Sequence, residues 1–64
     1  MRFEMYRDAG GEWRWRLRHQ NGQVMAESGE GYSRRDDCQH GIDVLKQSAG
    51  QAPIVDMSLK IAGT

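Results

Sequence analysis

A cysteine and a histidine are the residues of this sequence that could form a nucleophile and its base. Cys38, the only cysteine, and His40 lie two positions apart. A catalytic thiol needs a base within hydrogen-bonding distance and a third group that orients the base. Residues two apart on a helix point in different directions. We therefore interpret Cys38 as a small buried residue and His40 as a surface residue, and predict that the protein is not an enzyme and has no catalytic residue.

The potential metal ligands follow no recognisable zinc pattern. His19, Cys38 and His40 lack the paired spacing of structural zinc sites. The acidic residues of the predicted helix are spread around it, as is typical of solvated charge: Asp36, Asp37 and Asp43. The sequence predicts neither a metal site nor a cofactor.

Aromatic residues and arginines alternate in the stretch EWRWRLRH, residues 12–19. Sheets that bind single-stranded nucleic acid combine exposed aromatic rings with cationic side chains. Here the alternation places Trp13 and Trp15 on the same face as Leu17, towards the predicted helix. Nine basic residues also balance nine acidic ones, which removes the general electrostatic attraction to phosphate. Single-stranded nucleic-acid binding on the outer sheet face is therefore the alternative hypothesis and is disfavoured.

The first predicted hairpin joins two segments of period-two alternation. A loop at 9–11 would let Gly11 take the left-handed conformation that three-residue hairpin loops need. The resulting register pairs residues whose numbers sum to 20, so that Phe3 faces Leu17. This register gathers the large apolar side chains on one face.

Asn21-Gly22 predicts the second hairpin, because both residue types tolerate positive φ in a two-residue loop. Gln20 would then face Gln23, and paired numbers would sum to 43. On the outer face the two registers align a row of alternating charge: Glu4, Arg16 and Glu27.

The outer face also holds the residues that we select as a candidate binding surface: Tyr6, Arg14 and Arg18. The registers set Tyr6 opposite Arg14, which suits a guanidinium lying over the ring. Arg18 lies between Arg2 and Met25 and has no evident partner. These groups could contact an acidic protein or peptide, although a solvated face explains them equally well.

Ser33 is the predicted N-cap of a helix, with Asp36 three positions later in a weak capping box. Apolar residues recur at helical spacing: Cys38, Ile42, Leu45 and Ala49. Gly41 interrupts the pattern and would be explained by close helix–sheet packing. Tyr32 is expected to pack on the sheet or on a second subunit.

Gly50 is expected to end the helix, and Pro53 follows it. Residues 54–57 predict a final strand, and residues 58–64 either extend it or form a tail.

Chain length points to a partner subunit. A single domain of 64 residues, spanning 1–64, buries only about 60% of its unfolded surface. One cysteine cannot form a disulfide within the chain.

No apolar run approaches a membrane span or a signal-peptide core, so we expect no membrane association and a cytoplasmic location.

Five segments resemble the YegP-like family, small bacterial and archaeal domains of unknown function. They read FEMYRD, GEWRWRLRHQNGQVMAES, EGYS, HGIDVLKQSA and IVD, and together they cover about residues 3 to 56. The resemblance implies three strands, a helix and one or two C-terminal strands. It also implies that a single-copy chain forms a homodimer with exchanged C-terminal strands, and it implies no activity. His40 stands where the family pattern has asparagine.

These observations predict an α+β fold in which one helix covers the tryptophan face of an antiparallel sheet, with the order β-β-β-α-β or one further C-terminal strand. The resemblance implies that the C-terminal strands are exchanged in a homodimer. The predicted core is Phe3, Met5, Trp13, Trp15, Leu17, Val24, Ala26, Cys38, Ile42, Leu45, Ile54 and Val55. The predicted function is a protein-interaction or scaffold module whose main partner is a second copy of the chain.

Overall fold

The computed structural model describes residues 1–58 as an antiparallel sheet with one helix. Strands β1 (Arg2–Arg7), β2 (Trp13–Arg18) and β3 (Val24–Glu27) lie in that order, with β2 in the middle. Helix α1 spans Arg35–Ser48, and a short 3-10 turn follows at Ala49–Gln51. The α+β class is confirmed over the described residues, none of whose helices is long and apolar enough to cross a membrane.

The β1–β2 hairpin has the predicted register throughout. Phe3 faces Leu17, and the amide of Asp8 donates to the carbonyl of Glu12 at 2.8 Å. The three-residue loop closes with Gly11 at φ +83°, a conformation that glycine adopts without steric cost.

The β2–β3 hairpin differs from the prediction by one residue at its turn. Leu17 faces Ala26 as expected, but Arg18 pairs with Val24 across a bulge. The amide of His19 donates to the carbonyl of Gln23 at 2.8 Å, so the loop has three residues rather than two. Only Gly22 takes positive φ, at +91°. The predicted two-residue turn was therefore wrong.

The side chain of Asn21 explains the change of turn. Its Oδ1 accepts a hydrogen bond from the amide of Gln23 at 2.9 Å. This local bond mimics a backbone turn and is compatible with negative φ at Asn21. The left-handed position therefore falls on Gly22 alone, and the bulge absorbs the extra loop residue.

A hydroxyl group continues the pairing of β2 beyond β3. The Oγ of Ser28, which is buried, accepts from the amide of Trp15 at 3.2 Å, and the amide of Ser28 donates to the carbonyl of Trp15. Trp13 and Tyr32 then exchange two backbone bonds of 2.7 and 2.8 Å. Tyr32 is thereby fixed between the sheet and the helix that follows.

Helix α1 begins one residue later than predicted. Arg34 is the N-cap, with extended backbone and no side-chain capping bond, so the predicted cap at Ser33 was wrong. Asp36 and Asp37 occupy the first turn, where the helix dipole favours negative charge. The C-terminal end is not a left-handed glycine cap, because Gly50 lies in the 3-10 turn without positive φ.

Gly41 marks a close approach of α1 to the sheet, as predicted. A Cβ atom at this position would lie 2.7 Å from the hydroxyl of Tyr32 and 3.9 Å from Nε1 of Trp15. The helix therefore covers the face that carries Trp15, which confirms the predicted orientation of the sheet.

The core of the described residues is thin. Cys38 and Ile42 are its only buried apolar residues. The rings of Phe3 and Trp15 pack edge to face with centroids 5.7 Å apart, a favourable geometry for aromatic pairs. Four further residues of the predicted core are half-buried: Met5, Trp13, Leu17 and Leu45.

Several predicted core residues are exposed in the single chain. Val24 and Ala26 lie on β3, which α1 does not cover, whereas Ile54 and Val55 lie beyond the helix. Residues 52–56 form neither strand nor helix. The predicted fourth strand is therefore not formed within this chain, because the segment does not pair with either edge of the three-stranded sheet. Its possible extension through residues 59–64 lies outside the described residues.

Candidate binding surface on the outer sheet face

Glu4 is the centre of an ionic cluster on the face opposite α1. Its Oε1 accepts from Nε of Arg16 at 2.8 Å and from Nε of Arg18 at 3.1 Å. Its Oε2 accepts from Nε of Arg2 at 2.9 Å. These bonds lower the pKa of Glu4 to about 2, and the bond from Arg16 makes the largest contribution to that shift. One carboxylate thus holds three guanidinium groups in place.

A second, simpler cluster lies at the other end of the face. Arg14 donates through Nε to Oδ2 of Asp8 at 2.6 Å. The other carboxylate oxygen accepts from the amides of Gly10 and Glu12 at 2.9 and 3.0 Å. The hydrogen bond from Arg14 is the main cause of a lowered pKa for Asp8, and the same bond raises the pKa of Arg14. This carboxylate and its one arginine neutralise each other.

Tyr6 faces Arg14 in the register, as predicted, but the guanidinium that lies over its ring belongs to Arg16. Arg16 takes that position, with its guanidinium carbon 4.6 Å from the centroid of the Tyr6 ring. Asp8 explains the exchange, because its carboxylate draws Arg14 towards the turn and leaves the ring to the diagonal neighbour. Cation–π contact and the bond to Glu4 therefore act together on Arg16.

Arg18 was predicted to lack a partner, and this was also wrong. It reaches diagonally to Glu4 and donates through Nη1 to the carbonyl of Gly22 at 2.6 Å. Of the three selected residues, Tyr6 and Arg18 are therefore both connected to the Glu4 cluster, Tyr6 through Arg16, whereas Arg14 belongs to the Asp8 cluster.

Glu27, the third member of the predicted charged row, acts on Arg16 through its charge, and the described part of the structure gives no direct ion pair between them. It faces Arg16 in the register, and its charge helps to raise the pKa of that guanidinium. The bond to Glu4 is the largest cause of the same shift. The Glu4–Arg16 half of the row is confirmed as a direct ion pair.

Sequence reasoning missed Asp8 and Arg2 as members of this surface. Asp8 precedes a glycine pair, a position where aspartate commonly accepts backbone amides, and this signal was readable. Arg2 contacts Glu4 on its own strand, two residues along. Register alone, which considers residues directly opposite each other, does not predict such contacts.

Cys38 and His40, the pair considered as nucleophile and base, differ in their exposure on α1. Cys38 is buried, and burial raises the pKa of its thiol, which keeps it in the neutral and less nucleophilic form. His40 is exposed on the helix surface. Among residues 1–58, no group of three histidine, cysteine or acidic side chains could hold a metal ion.

Comparison with known proteins relates this fold to uncharacterised domains. Residues 8–56 match the family described as a domain of unknown function, DUF1508. The chain is 44% identical over 57 residues to a UPF0339 protein of Neisseria meningitidis serogroup B, covering 89% of this chain and 100% of that protein. It is 44% identical over 54 residues to a UPF0339 protein of Methanosarcina acetivorans, covering 84% of this chain and 91% of that protein.

A solved structure has the same fold. The solution NMR structure of a protein from Haloferax volcanii superposes with a TM-score of 0.82 at 40% sequence identity. The match covers 86% of this chain and 92% of that one.

Proposed function

We propose that this chain, which belongs to the DUF1508 family of domains of unknown function, acts as a non-enzymatic protein-interaction module whose first partner is a second copy of itself. The family has bacterial and archaeal members. The proposal concerns a homodimer in which the segment after the helix is exchanged between copies.

The exposure of the C-terminal segment carries this proposal. Ile54 is 98% exposed, and Val55 and Met57 are 57% and 59% exposed. Large apolar side chains grouped in a segment outside the sheet favour burial against another surface. The backbone of Ile54 and Val55 also takes part in no strand pairing among the described residues, so it is available to a sheet edge.

The thin core gives independent support. Two buried apolar residues among the 58 described are few for a domain that must offset the conformational entropy of its own chain. Val24 and Met25 add exposed apolar surface on β3, which is an edge strand of the described sheet. A partner that covers these side chains would supply the missing apolar burial.

Solution mass tests the proposal directly. The full chain is expected to show twice the chain mass of 7.3 kDa by light scattering, and removal of residues 52–64 is expected to reduce it to a monomer. The double substitution Ile54→Asp with Val55→Asp should have the same effect. The matched control is Gln51→Asp, which adds charge next to the apolar segment. A monomeric full chain at tens of micromolar concentration would contradict the proposal.

The outer face supports nucleic-acid binding less well. Arg16 covers the ring of Tyr6, and Asp8 neutralises Arg14, so stacking and phosphate contact would both have to displace existing bonds. Titration of labelled single-stranded oligonucleotides at low salt separates the two functions. Tight binding that weakens steeply with salt would favour nucleic acid.

A further inference from the structure

A concave space of about 370 Å³ lies at the end of the sheet where the start of β1 meets the turn after β2. Its size falls within the range of small-molecule sites. It is lined by Met1, Arg2, Arg18, His19, Gln20 and Gly22. The lining contains two guanidinium groups and no carboxylate.

Existing bonds orient the two arginines and still leave donors for a ligand. Glu4 accepts from Nε of both Arg2 and Arg18, and the carbonyl of Gly22 accepts from Nη1 of Arg18. Nη2 of Arg18 and Nη1 of Arg2 have no hydrogen-bond partner among residues 1–58. A guanidinium that is already held along one edge can bind a ligand through its other edge, and binding then costs little additional side-chain entropy.

His19 adds a donor of defined position. Its Nδ1 accepts a hydrogen bond from the amide of Asn21 at 3.3 Å. A neutral imidazole that accepts through Nδ1 carries its proton on Nε2, which is then a donor. The side-chain amide of Gln20 can donate as well. Donors thus come from β1, from β2 and from the turn, whereas the nearest acid, Glu4, is shared by three arginines.

We propose that this pocket binds the phosphate group of a small phosphate monoester. Guanidinium forks match phosphate oxygens. Donors that converge from three elements suit a tetrahedral group with oxygens in several directions better than a planar carboxylate. The volume leaves room for an organic part beside the phosphate. This assignment goes beyond the interaction function and does not depend on dimer formation.

An NMR titration at constant ionic strength tests the site. Inorganic phosphate and glycerol 3-phosphate are added to the full chain, with acetate and chloride as matched anions. We expect saturable shifts of the backbone amides at residues 19–22 and of the Arg18 Nε signal. Shifts of equal size and midpoint with acetate or chloride would overturn the phosphate assignment, and so would an absence of shifts up to tens of millimolar phosphate.

Substitutions of opposite expected sign separate binding from a structural role. Arg18→Gln and Arg2→Gln should each weaken phosphate binding about tenfold, the scale of one lost charge-assisted bond. Arg34→Gln, an exposed arginine outside the pocket, is the control and should leave it unchanged. Glu4→Gln should tighten binding several-fold, because it removes the negative charge that competes with phosphate while the amide oxygen can still accept a hydrogen bond from an arginine.

The remaining outcomes are equally decisive. Weaker phosphate binding by a folded Glu4→Gln variant would overturn the proposed arrangement, in which the negative charge of Glu4 opposes phosphate binding. An oligonucleotide that shifts the same residues at far lower concentration than glycerol 3-phosphate would overturn the assignment to a small molecule. Tighter binding by Glu4→Gln together with weaker binding by either arginine variant would support it.

Discussion

The two faces of the sheet are held together by different forces. On the inner face, Phe3 and Trp15 pack against each other beneath α1, where Cys38 and Ile42 are buried. On the outer face, charged residues meet in ion pairs that keep partial contact with water, and the Glu4 side chain is 22% exposed.

This contrast separates stability from recognition. Apolar burial is non-directional and contributes most of the folding free energy of a small domain. Solvent-exposed ion pairs contribute little to stability, and they orient the donors that a ligand could use. We expect substitutions on the inner face to affect folding and substitutions on the outer face to affect binding.

The largest effect is expected from Trp15→Ala. Truncation of a large aromatic residue at a helix–sheet interface costs about 3–5 kcal/mol, comparable to the whole stability of a small domain. The variant should lose cooperative thermal unfolding and the dispersion of its NMR spectrum. A folded Trp15→Ala protein would show that the inner face is not the source of stability.

Gly41→Ala is expected to cost about 1–3 kcal/mol, because the added methyl group would lie 2.7 Å from the hydroxyl of Tyr32. Urea unfolding measures the loss. Gly50→Ala is the matched control, since no described atom beyond its chain neighbours lies within 4 Å of the Cβ that it adds. Combining Gly41→Ala with Tyr32→Phe should recover part of the cost, and full additivity of the two changes would contradict this contact.

On the outer face, acid should weaken the fold through Glu4. The pKa of Glu4 is lowered from 4.5 to about 2, so its ion pairs stabilise the folded state fully above pH 4.5. That contribution is lost as the pH falls towards 2, because the unfolded chain takes up the proton first. Unfolding midpoints in urea between pH 6 and pH 2 should fall less in Glu4→Gln than in the original chain. Parallel curves would exclude this role of Glu4.

The smallest effect is expected from Arg18→Ala, at about 0.5–1 kcal/mol, the upper range for partly exposed ion pairs. Arg18 bonds both Glu4 and Gly22, which places it above an ordinary surface residue. Arg34→Ala, on an exposed residue at the start of α1, should stay within about 0.5 kcal/mol. Equal chemical-denaturation midpoints for the two variants would mean that the outer ion pairs contribute nothing measurable.

The hairpins show how far sequence reasoning extends. The first was predicted correctly because Gly11 and the apolar pattern require the same register. The second was misplaced at its turn because Asn21 accepts a side-chain bond that competes with the left-handed backbone. The helix cap was predicted at Ser33 but lies at Arg34, where no side chain forms a capping hydrogen bond that would fix the start of the helix. The sequence pattern therefore predicts that a strand or helix exists more reliably than it predicts the residue at which that element ends.

The candidate surface was predicted only as a set of residues. Tyr6, Arg14 and Arg18 do lie on the outer face, as the period-two alternation requires. Their partners did not follow, because long arginine side chains reach diagonal neighbours and residues on their own strand. Contacts within register pairs were the only ones that the alternation could predict.

The sequence by itself determined the alternation of faces and the first hairpin register, because each follows from local geometry with one satisfactory solution. Tertiary structure alone decided that three arginines converge on Glu4 and that Asp8 takes Arg14. Ion pairs act over distance with little directional preference, so several pairings satisfied the same pattern until the strands and turns fixed the positions of the charges.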